Sequence, residues 1–401
     1  MQSIKPKTPI KSQADISYGR QDISQADIDA VITVLQSDFL TQGPAIPAFE
    51  KAVADHVGVS HAIAVNSATS ALHIACLALG VKKGDIVWTS PITFVASSNC
   101  ALYCGATVDF IDIDPRTYNM STENLAAKLR MAKKNGQLPK VVIPVHMCGQ
   151  PCDMEGIHSL SQEYGFRVIE DASHAIGGRY KTEHIGGSRY SDITVFSFHP
   201  VKIITTGEGG VAVTNNHSLA RHLRLLRSHG ITSTSEEMHA RPEQEIWNYQ
   251  QIDIGFNYRM TDIQAALGLS QIKRLHEFVS RRHELAQRYD LLLSDLPIKT
   301  PWQHPDSYSS YHLYPIRLDV NKTTKTQREV YNALRADGIL VNLHYIPVYR
   351  QPFYEAMGFK AGYCSEAERY FHETISIPIY PAMNHEQQDR VIASLTKALD
   401  R

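Results

Sequence analysis

The chain has 401 residues, of which 43% are hydrophobic and 20% charged, with 40 Lys plus Arg against 41 Asp plus Glu. That length allows two or three domains with a large core, and the balance excludes a disordered or collagen-like chain. A formal net charge of −1 provides no global basic field for nucleic acid or an anionic membrane, so any anionic ligand must meet a local site.

The N-terminal MQSIKPKTPIKSQADISYGR lacks the apolar run of a secretory signal. The longest mostly apolar stretch, ALHIACLALG at 71–80, is far short of the roughly 18 residues that span a bilayer. Cys76, Cys100, Cys104, Cys148, Cys152 and Cys364 are too sparse for a disulfide scaffold. A cytoplasmic protein is expected, neither exported nor spanning a membrane.

Ser24 with Asp27 reads as the capped start of a helix over IDAVITVLQ, the serine oxygen meeting an orphan N–H and the acid favouring the positive helix end. From about residue 24 to 230, β-rich apolar runs alternate with helical stretches. Strands are predicted at HAIAV, DIVWTS, TVDFIDI, KVVIPVH, FRVIE, DITVFSF and GVAVTN. Helices are predicted over ALHIACLALG, FVASSNCALYC, ENLAAKLRMAKK and IHSLSQEYG. The alternation predicts an α/β architecture, a mostly parallel sheet covered by helices on both faces. Polar TSTSEEMHARPEQEIWNY (232–249) reads as a long surface loop, and 260–294 as a long helix leading to a second domain. The remainder, with YHLYPIRLDV, a helix over TQREVYNALRADG, ILVNLHY and a last helix over QQDRVIASLTKALD, is an α+β pattern. The expected division is a large domain at 1–270 with an N-terminal arm and a small domain at 271–401.

Ligands of open α/β sheets collect beyond the carboxyl ends of the strands, and three turns there are chemically loaded. Asn66-Ser67-Ala68-Thr69-Ser70 opens a helix with small residues and hydroxyls that admit a phosphate, or form an ordinary N-cap. Asp171 follows the strand FRVIE, with His174 three residues on, as a functional acid or a structural ion pair. Lys202 sits in the apolar, proline-bent, glycine-rich turn Ser197-Phe-His-Pro-Val-Lys-Ile-Ile-Thr-Thr-Gly-Glu-Gly-Gly, where lost hydration leaves an amine nucleophilic; the plain alternative is an exposed loop lysine. Together they offer phosphate donors, an acid for a ring nitrogen and an amine for an aldehyde, which are the requirements of pyridoxal phosphate.

The segments NSATSAL, EDASHAIG, FSFHPVKIITTGEGG and GFNYRMTDIQAALG resemble the DegT/DnrJ/EryC1/StrS sugar aminotransferases, in the family's order and over nearly the whole chain. The resemblance implies the fold type I scaffold of pyridoxal-phosphate-dependent transferases and a homodimer with shared active sites. It implies that Lys202 bonds the cofactor, that Asp171 holds the pyridine nitrogen protonated, and that His174 stands beside the ring hydroxyl. Phe94 would stack on the ring, and Ala68, Thr69 and Ser197 would bind the phosphate, with Asn257 reaching it from the neighbouring subunit. Ala68 stands where much of the family has glycine, a departure that keeps the backbone N–H.

For the sugar nucleotide the resemblance points to Tyr18, to Asp38, Phe39, Leu40 and Thr41 in the DFLTQGP turn, and to Asn342, Leu343, His344 and Tyr345, with Ala68, Ser197 and Asn257 bordering the same space. Arg227 and His229 in LRSHG would meet a carboxylate or diphosphate, or cap the preceding helix. NSATSAL, SFHPVKIITTGEGG, LRSHG and HYIPVY are similar to the branch that aminates UDP-2-acetamido-2,6-dideoxy-β-L-arabino-hex-4-ulose at C4, with L-glutamate as donor. Another nucleotide-linked 4-keto sugar is the nearest alternative. Lys202 itself argues against the dehydratases of this scaffold, which carry histidine there, and no DNA-binding module is appended to suggest a regulator. His146, Cys148 and Cys152 have near-metal spacing, but a zinc site wants four ligands and this loop offers three.

Overall fold

The structure, a computed structural model, describes residues 15–400 except 243 and 247. The reading of residues 1–14 as non-secretory lies outside the described residues. Among those described, no helix is long and apolar enough to cross a membrane.

Seven strands form the central sheet: β1 (His61–Val65), β2 (Ile86–Thr89), β3 (Thr107–Phe110), β4 (Val141–Ile143), β5 (Arg167–Asp171), β6 (Ile193–Ser197) and β7 (Gly210–Thr214). Their order is β1-β7-β6-β5-β4-β2-β3, and β7 alone runs antiparallel to its neighbours. Each strand falls within a run predicted from the sequence except β5, which runs one residue past FRVIE to take in Asp171. Both faces are covered, as the apolar runs require: Ile63 and Val65 of β1 join one buried cluster while Ala62 and Ala64 join another. The helices Ala68–Ala78 and Ala96–Tyr103 lie on the first face, and the helix Ala45–Val57 on the second.

The helix Gln25–Leu35 starts as predicted. Ser24 accepts from the Asp27 N–H at 3.3 Å and the Asp27 carboxylate accepts from the Ser24 N–H at 2.8 Å, a reciprocal capping box. The long helix expected over 260–294 is instead two helices, Asp262–Gln271 and Leu275–Leu292, joined by a 3₁₀ turn at Ile272–Arg274. At that joint Gln271 and Arg274 bind the Asp27 carboxylate at 2.7 and 2.8 Å, tertiary bonds that helical periodicity does not reveal. The helix Ala45–Val57 was not anticipated because its cap is not local: the Asp262 carboxylate accepts from the N–H groups of Gly43 and Ala45 at 2.8 and 2.9 Å.

Towards the C-terminus, β8 (Ile298–Lys299), β9 (Tyr314–Leu318) and β10 (Thr374–Ile377) make an antiparallel sheet in the order β8-β9-β10. The helices Gln327–Ala336 and His385–Asp400 close a second core around it, which Ile16 enters because Ile16–Ser17 pairs in parallel with Ile339–Leu340. ILVNLHY, read as a strand, keeps strand geometry only at Ile339–Leu340, after which Asn342 bridges Ser376. Val348, Tyr349, Tyr354 and Tyr370 pack into the first face of the large sheet, so this C-terminal stretch covers the carboxyl end of the strands.

Candidate active site

Lys202 lies in the connection from β6 to β7, where the register pairs Ser197 with Gly210. The connection is held shut by the Phe198 N–H on the Gly209 carbonyl at 2.9 Å and the Thr206 N–H on the Phe198 carbonyl at 3.0 Å. Its lysine is partly buried, and no hydrogen bond or ion pair of its amine is found among the described residues. Burial draws the Lys202 pKa down to about 8, against the opposing pull of Asp171. The neutral amine is therefore a far larger fraction near physiological pH than in an ordinary lysine.

Asp171 ends β5 and is 4% exposed. Its carboxylate accepts from the Ser97 hydroxyl at 2.6 Å and from the Ser173 N–H at 3.1 Å. Ser97 in turn meets the Thr93 hydroxyl at 2.7 Å. Three residues beyond, His174 is held well below its ordinary pKa by burial first, then by the nearby Lys202 and His344. It is a neutral imidazole whose Nε2 lies 3.3 Å from the Tyr345 hydroxyl and whose Nδ1 is buried without a partner.

At the start of the helix Ala68–Ala78, Ser67 accepts from the Ser70 N–H at 3.1 Å. Ala68 and Thr69 are left as first-turn donors with no helical partner. Gly210 passes directly beneath: a Cβ there would stand 2.5 Å from the Ala68 nitrogen. The glycine thus lets β7 begin against the turn, and Ser197 brings its hydroxyl to the same end of the sheet.

Phe94 is 59% exposed, unusual for a phenylalanine beside a sheet, with its ring centroid 6.5 Å from that of Tyr345. His344 binds Ser376 through Nδ1 at 2.9 Å, meets the Asn342 side chain through Nε2 at 3.4 Å and packs its ring 5.1 Å from that of Tyr18. The cleft therefore gathers Lys202, Asp171, His174, Phe94, Tyr345, His344, Asn342 and Tyr18. Leu343 packs against the C-terminal core. Asp38, Phe39, Leu40 and Thr41 are exposed elsewhere, Thr41 bridging Thr261. Asn257 is also exposed, on a segment whose neighbour Tyr258 accepts from the Asn66 N–H at 2.8 Å.

Sequence reasoning passed over Ser97, Thr93 and His312, which is buried with its ring 4.3 Å from that of His174. The hydroxyls at 93 and 97, one helical turn apart around Phe94, were the available signal for the first two; His312 had none beyond its lying in a strand-like run. Arg227 is committed to structure, donating to Glu50 at 2.5 Å and to the Ala64 carbonyl at 2.9 Å. His146 uses Nε2 on Glu170 at 2.7 Å and Nδ1 on the Cys152 N–H at 3.1 Å. No metal-holding group of three such side chains occurs among the described residues.

Several observations fit pyridoxal phosphate: free first-turn N–H groups over a glycine, a buried carboxylate at a strand end, a neutral histidine with an orphaned nitrogen, a lysine whose pKa burial draws down, and an exposed aromatic. Fold and site define an aminotransferase. The chain belongs to the DegT/DnrJ/EryC1/StrS aminotransferase family, whose model matches residues 21–396. It is 37% identical over 383 residues to the spore coat polysaccharide biosynthesis protein SpsC of Bacillus subtilis, covering 95% of this chain and 96% of that one. It is also 37% identical over 387 residues to the UDP-4-amino-4,6-dideoxy-N-acetyl-β-L-altrosamine transaminase of Campylobacter jejuni, covering 96% and 98%. Among solved structures, Helicobacter pylori PseC, an aminotransferase involved in the biosynthesis of pseudoaminic acid, superposes with a TM-score of 0.85 at 32% identity, over 96% of this chain and 99% of that one.

Proposed function

We propose that this aminotransferase moves the amino group of L-glutamate to C4 of UDP-2-acetamido-2,6-dideoxy-β-L-arabino-hex-4-ulose, giving UDP-4-amino-4,6-dideoxy-N-acetyl-β-L-altrosamine for pseudaminic acid synthesis in the cytoplasm. The observation that carries the reading is the Lys202 amine, drawn to about 8 and without a partner among the described residues, near Asp171 and the phosphate-ready turn. The acceptor rests on the likeness to the Campylobacter and Helicobacter proteins. The equal identity to SpsC favours one second reading, C4 amination of another nucleotide-linked 4-keto sugar.

Bound pyridoxal phosphate supplies an aldehyde to carry the amino group and a ring that draws off electrons. Asp171 would keep a proton on the ring nitrogen, its own charge held in place by Ser97 and Ser173. Ala68, Thr69 and Ser197 would hold the phosphate, with Phe94 over the ring and His174 beside its hydroxyl. Lys202 would then be both base and acid, taking a proton from the α-carbon of glutamate and delivering one to C4 of the sugar. Tyr18, Asn342, His344 and Tyr345 line the side from which the sugar would enter. Asp38–Thr41 and Asn257, exposed in one chain, would complete a neighbour's site in a homodimer.

NMR of the products tests the acceptor. UDP-N-acetylglucosamine is converted by a 4,6-dehydratase that inverts C5 or by one that retains it, and each keto sugar is offered with glutamate. Amination of the C5-inverted sugar in preference to the other is the expected result; a preference for the retained sugar moves the assignment to the second reading.

A further inference from the structure

His174 is held from the C-terminal part of the chain as well as from its own strand end. Its Nε2 lies 3.3 Å from the Tyr345 hydroxyl, a long bond, and its Nδ1 is buried with no hydrogen bond among the described residues. One such bond does not fix an imidazole that has to present a set edge to a ligand. The further restraint comes from segment 309–313, just before β9.

Ser310 donates its hydroxyl to the His174 carbonyl at 2.8 Å and its N–H to the Gly149 carbonyl at 3.2 Å. Gly149 permits this approach, since a Cβ there would stand 2.6 Å from the Ser310 hydroxyl oxygen and 3.0 Å from the His174 carbonyl oxygen. Behind the segment, the fully buried Arg282 donates through Nη1 to the carbonyls of Tyr311 and His312 at 3.0 and 3.2 Å, and to that of Ile379 at 3.0 Å. Thus anchored, His312 sets its ring 4.3 Å from that of His174, tilted by 46°. This is closer than the roughly 4.5–7 Å usual between aromatic centroids, an approach open to two five-membered rings. Burial holds both imidazoles well below their ordinary pKa, so the contact sets no like charges against each other. The Nδ1 of His312 is buried and, among the described residues, unbonded, which leaves the ring contact as what this side chain offers His174.

We propose that His312 is a positioning residue for His174: its backbone pinned by Arg282 and its neighbour Ser310 tied to His174, it presses its ring on that imidazole and stops it turning away from the cofactor. The proposal rests on the reading above, in which His174 stands beside the ring hydroxyl of pyridoxal phosphate. His312 acts through His174 and not by a contact of its own, so deleting its ring matters only while His174 is there to be held.

The test is a double-mutant cycle in which the cofactor-free chain is titrated with pyridoxal phosphate. His312→Ala should weaken binding at least about tenfold in the wild-type background and less than about twofold in the His174→Ala background. The visible absorbance maximum of the bound cofactor should move in His312→Ala to where it lies in His174→Ala, a shift that lost packing elsewhere would not produce. Ser310→Ala, which removes the hydroxyl bond to the His174 carbonyl, should repeat the pattern with a smaller loss, and it decides the matter if His312→Ala fails to fold. Equal losses in both backgrounds, or an unchanged affinity in the wild-type background, overturn the proposal and leave the aminotransferase reading standing. A wild-type chain that takes up no pyridoxal phosphate overturns that reading, and the proposal with it.

Discussion

Burial displaces the proton equilibrium of Lys202, and no partner shares its amine among the described residues, which has consequences that do not depend on turnover. In the folded, cofactor-free protein its pKa is about 8, against an ordinary 10.5. Between those values the unfolded chain binds the extra proton, so the contribution of Lys202 to stability rises as pH climbs from about 8 to 10.5 and is lost as pH falls through the same window. Lys202→Met cannot titrate. Urea midpoints of the cofactor-free protein at both ends of this window should therefore rise more for wild type than for the variant; parallel changes would mean that the amine is not desolvated. A second prediction concerns Ser97, which supplies one of the two donors to the Asp171 carboxylate. Ser97→Ala should lower kcat by about tenfold, since a hydrogen bond to a charged group contributes roughly 1.5–3 kcal/mol, with little change in KM for glutamate. Unchanged kcat would make Ser97 a helix-start residue only.

Among the elements, the connection between β6 and β7 and the start of the helix Ala68–Ala78 are made for each other through Gly210. Gly210→Ala would place a methyl group 2.5 Å from the Ala68 nitrogen, costing about 1–3 kcal/mol in stability by overpacking and moving the first-turn donors. Titration of the cofactor-free protein with pyridoxal phosphate should show at least tenfold weaker binding, while an unaffected affinity would separate this turn from the phosphate. Such pairings explain what could be read in advance. The seven strands and the loaded turns after β1, β5 and β6 were legible, because alternating apolar runs and residue chemistry are local signals. The helix Ala45–Val57, capped by Asp262, and the joint at Ile272–Arg274 were not, because long-range hydrogen bonds made them. The same holds in the cleft: Lys202, Asp171 and His174 announced themselves by type and position, whereas Ser97 and His312 acquire meaning only when helix and strand bring them to Asp171 and His174.

Taken whole, one chain leaves Phe39 and Leu40 exposed, together with Ile28, Ile32 and Leu35 at helical spacing on Gln25–Leu35. An apolar surface of this kind suits a second copy, in keeping with the proposed dimer in which Asn257 serves its neighbour. Mixing Lys202→Ala chains with Asn257→Ala chains tests this, once each parent is shown to be inactive and exchange of subunits is verified. Hybrids would hold one site with an intact lysine and an intact partner asparagine, and activity should return to as much as half the wild-type level per dimer. Hybrids that form and stay inactive would confine Asn257 to its own chain.

The central claim is that Lys202 carries the cofactor and moves the protons of amino transfer. Borohydride reduction of the protein loaded with pyridoxal phosphate, followed by peptide mapping, tests it most directly. The account predicts loss of the visible absorbance band with the reduced cofactor fixed on Lys202, and neither band nor adduct in Lys202→Ala. A reduced cofactor found on another lysine, or released unattached from the wild-type protein, would contradict it.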